Sequence, residues 1–212
     1  MSSARSAVPT SRLIELGRRF HTRGWVRGTS GNFSVVVSRA PFRLAITASS
    51  VNKGALGTGD ILMCDEQGAA IGRGSARPSA ETLLHVQIAK CRGADAVLHT
   101  HSVWATLLSD RYGGQEGLSI DRYEMLKGLT GVSSHEHREW IPIVENDQDM
   151  PRLATRMGEV LRQFPQTHGV LLRRHGLYTW GATLAEAERH VEILEFLFEV
   201  IGRQSNGHRE NS

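Results

Sequence analysis

The 212-residue chain is long enough for one good-sized domain with a large core and room for a cleft. Its 40% hydrophobic and 22% charged residues match ordinary globular usage and exclude wholesale disorder. The net charge is only +3, and the basic residues other than Lys53, Lys90 and Lys127 are scattered arginines, which removes nucleic acid as a leading partner.

Cys64 and Cys91 make neither a C-x-x-C pair nor a disulfide framework. Met1 to Thr10 has no apolar signal core, and no apolar run approaches the ~18 residues that a membrane span needs. These features predict a soluble, cytoplasmic protein that engages no membrane.

With no repeat and no linker, the pattern predicts one domain over 1–212, with frayed ends at about 1–9 and 204–212. Leu13, Leu16 and Phe20 recur at helical spacing, predicting a helix that ends near Gly24. The polar hinge 27–32 leads into a β-branched strand at 33–38, and a second strand alternates through Phe42, Leu44 and Ile46. A third is expected at 61–64. Ser79 is expected to cap a helix running to about Cys91, followed by a strand at 96–101 and another helix from Val103. Segment 119–131 reads as helical around Met125 and Leu126. Residues 140–144 read as a strand that Pro142 demotes towards an edge. A helix at about 151–164 precedes a strand at 169–172, a turn at His175-Gly176 and a returning strand to Trp180. The last helix opens on the capping box Thr183-x-x-Glu186, buries Val191, Leu194, Phe198 and Ile201, and should stop from Gly202. The predicted class is α/β, with helices covering a mixed or antiparallel sheet.

Ten histidines are many for this length. His99-Thr100-His101 extends the apolar run Ala96-Val97-Leu98, and side chains at i and i+2 of a strand share a face. Two imidazoles converging in this way suit zinc or a similar divalent ion, with Leu98 and Thr100 turned the other way. Two imidazoles hydrogen-bonded beside the core suit the same pattern. His135-Glu136-His137 repeats the spacing without an apolar frame and reads as solvated loop. His175 stands at a hairpin corner, where an imidazole can either reach across the sheet as a third ligand or simply serve the turn. Gly28-Thr29-Ser30-Gly31-Asn32 offers small side chains and free N–H groups able to wrap a phosphate, and its composition equally suits a tight turn. Thr47-Ala48-Ser49-Ser50 and Ser79 are further anion-friendly positions. No dinucleotide fingerprint or P-loop is present.

Four motifs in order, Gly28-Thr29-Ser30-Gly31-Asn32, Pro78-Ser79-Ala80-Glu81, His99-Thr100-His101 and Arg174-His175-Gly176, resemble the class II aldolase/adducin family from about residue 11 to residue 203. The resemblance implies a three-layer α/β/α sandwich around a largely antiparallel sheet, and a homotetramer with sites near subunit boundaries. It implies one zinc ion per subunit held by His99, His101 and His175, and a sugar-phosphate substrate whose phosphate meets Thr29, Gly31, Asn32, Ser49, Ser50 and Ser79. Ser50 and Ala80 depart from the family's usual glycine and second serine.

Tyr123-Glu124-Met125-Leu126-Lys127-Gly128 is similar to the branch that dehydrates a methylthio-substituted ketose phosphate. That branch implies Glu124 as acid/base, with Glu81 as a metal-site neighbour or second proton carrier. An aldolase or epimerase, which would use Glu81, is the alternative enzyme. A non-catalytic binding module, as in the adducin branch, is the alternative to an enzyme, and the retention of all three histidines speaks against it.

Overall fold

The computed structural model describes residues 10–72 and 76–207. Segments 1–9 and 208–212, expected to be frayed, lie outside the described residues. An eight-stranded sheet runs in the order β3-β2-β1-β4-β8-β7-β6-β5. Its strands are β1 (Asn32–Arg39), β2 (Phe42–Thr47), β3 (Ile61–Cys64), β4 (Ala96–Thr100), β5 (Gly117–Asp121), β6 (Arg138–Val144), β7 (Gly169–Leu172) and β8 (Gly176–Gly181). Every pairing is antiparallel except β6 with β7.

Strand alternation sorts the helices into two layers. Val36, Leu44, Ile46, Val97, Val170, Tyr178 and Trp180 share a core with α2 (Thr82–Arg92) and α4 (Met150–Gln163). The opposite parity, including Phe33, Val35, Ala96 and Leu98, packs on α1 (Thr10–Thr22) and α5 (Leu184–Gly207). Leu171 and Leu177 continue that face towards α3 (Val103–Arg111) and α5. The result is the three-layer α/β/α sandwich with a mostly antiparallel sheet.

Four expectations need correction. Segment 119–131 is not one helix. Leu118 and Ile120 alternate into the core as β5, and only Glu124–Gly128 winds, as a short 3-10 turn. Strand β6 is not an edge, because β5 lies outside it. Pro142 is accommodated because pairing with β7 begins only at Ile143, beyond the residue that lacks an N–H. Helix α2 starts three residues after Ser79, whose carbonyl and hydroxyl are used in the turn that precedes it. Helix α5 continues through Gly202 to Gly207, with Gly202 buried close against Trp104. Its first turn is capped as expected at Thr183, whose hydroxyl accepts from the Glu186 N–H at 3.1 Å.

Strand β4 has different chemistry on its two faces. Thr100 points to the α5 layer and donates to the Glu195 carboxylate at 2.8 Å. Glu195 is 2% exposed, and its second oxygen has no hydrogen-bond partner among the described residues. Burial pushes its pKa up to about 7, against the opposing pull of Ser102 and Thr100. Between its ordinary 4.5 and about 7 the folded chain keeps a proton that the unfolded chain has lost, so this group's contribution falls as pH rises and levels off above 7. We expect the stability of Glu195→Gln relative to the parent to increase by up to about 3 kcal/mol from pH 5 to pH 8, read from denaturant midpoints. A difference that does not change with pH would contradict this assignment.

Candidate metal centre

His99 is the penultimate residue of β4, with its side chain on the α2 face, and His101 follows just past the strand, where its N–H is held by the Trp25 carbonyl at 2.7 Å. His175 occupies the turn between β7 and β8, after Arg174 in a left-handed conformation. The turn reaches the other histidines because residue 176 is glycine. A Cβ there would collide with the Thr100 carbonyl and touch the His99 ring at 3.1 Å. Glu81 comes from a third segment, immediately before α2.

Four ligand-type atoms, one each from Glu81, His99, His101 and His175, lie within 4.8 Å of one another. The Nε2 atoms of His101 and His99 are 2.7 Å apart, those of His175 and His101 3.1 Å, and those of His99 and His175 3.4 Å. Glu81 Oε1 is 3.1 Å from His175 Nε2 and 3.6 Å from His99 Nε2. The His99 Nδ1–H faces the Leu177 carbonyl at 3.0 Å, which leaves Nε2 as the lone-pair nitrogen turned inward. Burial, then repulsion from His99 and His175, pushes the pKa of His101 down to about 2, so it too offers a lone pair. His175 Nδ1 is buried without a hydrogen-bond partner among the described residues. Nitrogen lone pairs crowded beside a carboxylate fit a divalent cation, which supplies the charge that the cluster otherwise lacks.

Burial alone would raise the pKa of Glu81, but the charge and hydrogen bonds that His99 and His175 present when protonated more than reverse this and hold the carboxyl well below the usual range, a role that a bound cation would take over. Its Oε2 accepts from Asn32 Nδ2 at 2.6 Å. Asn32 Nδ2 also lies 3.2 Å from Ser79 Oγ, and its Oδ1 meets His85 Nε2. Ser34 Oγ is 2.7 Å from His85 Nδ1. Burial pushes the pKa of His85 down to about 3. Tyr178 stacks on His99 with ring centroids 3.9 Å apart and forms the wall behind it.

The anion-friendly segments converge next to this cluster. Lys53 is 1% exposed and donates to the carbonyls of Thr29 at 3.1 Å and Val51 at 2.7 Å, tying the 28–32 turn to the loop after β2. Burial brings its pKa down to about 8, with Asp60 and Glu81 opposing the fall. The Ser49 N–H donates to the Arg77 carbonyl at 3.0 Å, joining that loop to the segment carrying Ser79. Gly31 has φ +72°, and a Cβ there would come within 2.7 Å of the His99 carbonyl. Thr29, Gly31, Asn32, Ser49, Ser50 and Ser79 therefore share one neighbourhood, although the side chain of Asn32 is committed to Glu81 and His85.

Glu124 stands apart from the cluster. It is 73% exposed and paired with Lys127 at 2.7 Å, on a turn whose Leu126 packs in the α5-side core. His135 is exposed as expected, but His137 is half-buried. Its Nε2 lies 2.8 Å from Glu139, a buried carboxylate that His168 also contacts at 3.1 Å. This pairing, absent from the solvated-loop reading, gives His137 a polar partner at the start of β6. Lys53, His85 and Tyr178 were missed by sequence reasoning. His85 stands four residues after Glu81, a helical spacing that places two side chains on one side, and Lys53 is one of only three lysines in an arginine-rich chain.

The family model for the class II aldolase and adducin N-terminal domain matches residues 11–201. Methylthioribulose-1-phosphate dehydratase of Pseudomonas fluorescens is 45% identical over 188 residues, covering 88% of this chain and 88% of its own. The protein of the same name from Marinobacter nauticus is 42% identical over 196 residues, covering 92% and 93%. Among solved structures, an L-fuculose 1-phosphate aldolase superimposes with a TM-score of 0.76 at 22% identity, covering 97% of this chain and 89% of that one. The L-fuculose-1-phosphate aldolase of Thermus thermophilus gives 0.71 at 22% identity, covering 92% and 93%. No described helix is long and apolar enough to cross a membrane.

His99→Ala, His101→Ala and His175→Ala should each lose bound divalent metal, measured by elemental analysis of the purified protein. His135→Ala and His137→Ala should keep it. Metal retained by His101→Ala and lost by His137→Ala would reverse the ligand assignment.

Proposed function

The chain belongs to the class II aldolase and adducin N-terminal domain family, and we propose that within it this protein is a lyase of methionine salvage, dehydrating 5-methylthioribulose 1-phosphate to 2,3-diketo-5-methylthiopentyl 1-phosphate. The observation that carries this reading is identity of 42–46% to dehydratases of that name along about nine-tenths of both chains. The cluster of Glu81, His99, His101 and His175 supports it, because removing a proton beside a carbonyl needs a positive charge at the oxygen.

The ion in this reading is zinc, one per subunit, held by the three histidines with Glu81 at its side. When bound, it supplies Lewis acidity that lowers the pKa of the C3 proton and stabilises negative charge on the substrate oxygens. The protein's own groups do the rest. The phosphate is held by N–H groups of the 28–32 turn, including Thr29 and Gly31, and by the hydroxyls of Ser49, Ser50 and Ser79. Lys53 keeps these loops together. A carboxylate takes the proton from C3, the C4 hydroxyl departs as water after receiving a proton, and the enol left between C3 and C4 ketonises. Glu124 is assigned both proton transfers, each suited to a positioned carboxylate. Its exposure on the outer surface of one chain fits a homotetramer in which subunits complete one another's sites. Free cysteines at 64 and 91 fit a cytoplasmic setting.

The test is product identity by mass. The purified protein should convert the methylthio sugar phosphate to a product lighter by one water and should not cleave the carbon chain of a ketose phosphate. Glu124→Gln should lose about 10²–10⁴-fold in turnover with metal content unchanged. Near-native turnover in Glu124→Gln together with a dead Glu81→Gln would move proton transfer to Glu81, and C–C cleavage by the parent would make the protein an aldolase.

A further inference from the structure

We propose that His85 is a positioning residue for Glu81, acting through Asn32, and that the Asn32 amide serves this carboxylate and not the substrate phosphate. The inference rests on the metal-centre reading above and concerns groups that this reading leaves without a role.

Asn32 Nδ2 donates to Glu81 Oε2 at 2.6 Å, the carboxylate oxygen serving as acceptor. That orientation turns Oδ1 of Asn32 towards His85 Nε2, which must then carry the hydrogen. Nδ1 of the same ring is left as an acceptor, and the Ser34 hydroxyl, 2.7 Å away, donates to it. Each assignment forces the next, and Ser34, His85 and Asn32 are all buried. With neutral His85 in this tautomer, the amide cannot flip without opposing two oxygens at Glu81 and two N–H groups at His85. Oε2 of Glu81 is thereby anchored, and Oε1 is the oxygen presented to His99 and His175.

The Asn32 amide has no hydrogen left for the phosphate. Its Nδ2 has two hydrogens, one spent on Glu81 and one directed at Ser79 Oγ at 3.2 Å. Ser79 Oγ also lies 3.3 Å from the Glu81 N–H. With both of its acceptor positions occupied, the Ser79 hydroxyl keeps its own hydrogen free to donate, which is what an anionic ligand needs. Asn32 therefore orients Ser79 as a donor while holding Glu81 in place.

The experiment compares His85→Leu, which keeps bulk and removes both ring nitrogens, with His85→Gln, whose amide restores an N–H near the Nε2 position. Zinc affinity is read by competition with a chromophoric chelator, and kcat and KM on 5-methylthioribulose 1-phosphate. Groups that orient a metal-site carboxylate typically contribute about 10–100-fold to metal affinity or activity. His85→Leu and Asn32→Leu should each weaken zinc binding and lower kcat in that range, with KM within about twofold of the parent. The double variant should lose little more than either single one, because the two act as one chain. His85→Gln should recover most of the loss. Ser34→Ala, which leaves the ring in place and frees its tautomer, should move both readouts the same way by a smaller factor, and it stands in if leucine at 85 does not fold. A rise in KM alone for Asn32→Leu, with zinc affinity unchanged, would return Asn32 to the phosphate. Equal behaviour of the Leu and Gln variants would reduce His85 to packing. A parent chain that binds no zinc would instead overturn the metal-centre reading itself.

Discussion

His99 lies opposite Tyr178 and Thr100 opposite Leu177 in the antiparallel ladder of β4 with β8, and the geometry of the site follows from that register. The ladder sets the His175 turn beside the end of β4, so that three imidazoles from segments distant in the chain but adjacent in the sheet share one small volume. Slipping the register by one residue would turn His99 towards α5 and bring Thr100 to the site. Two neighbouring constraints hold the register. The glycine at 176 permits contact with the Thr100 backbone, and Thr100 itself is held from behind by Glu195.

Placing so many polar groups in a dry interior is costly unless each is answered. The α2 side of the sheet answers them in sequence, from Ser34 through His85 and Asn32 to Glu81, and the aromatic face of Tyr178 excludes water behind His99. The arrangement concentrates unmet demand at the cluster. Among the described residues His175 Nδ1 is buried without a hydrogen-bond partner and the three Nε2 atoms face one another, while the groups beneath them are largely paired. Stability and chemistry are thus divided between the two faces of one strand.

Much of this was legible in the sequence because it depends on short periods. The i, i+2 spacing of His99 and His101 within an apolar run defines a shared face, and the Gly following His175 marks a sharp corner. The alternation of Val35, Leu44, Ile46 and Val97 likewise reads directly as strand. What escaped depends on distance in the chain. Nothing local in Leu118-Ser119-Ile120-Asp121 distinguishes a strand from part of a helix until β6 is there to pair with it. Pro142 reads as an edge signal, and only the late start of the β6–β7 ladder explains its place inside the sheet. The buried roles of Lys53 and Glu195 arise from partners 24 and 95 residues away, which no local pattern reveals. Glu124 shows the opposite case: its motif was visible, yet in the fold it stands exposed beside Lys127 and outside the histidine cluster.

The segments that meet at the cluster also bear on how the chain is held together. Cys64 and Cys91 are both free, so no covalent bridge ties distant parts of the backbone. His99 and His175 are 76 positions apart, and Glu81 adds a third anchor on another element. An ion seated among them would act as a reversible staple, closing a long loop across the centre of the sheet much as a disulfide does in an oxidising compartment. Because such an ion favours the assembled ligands over the dispersed ones, its supply would set the melting temperature as well as the activity. Chelation would then register as a softening of the whole sandwich, beginning where β4 meets β8.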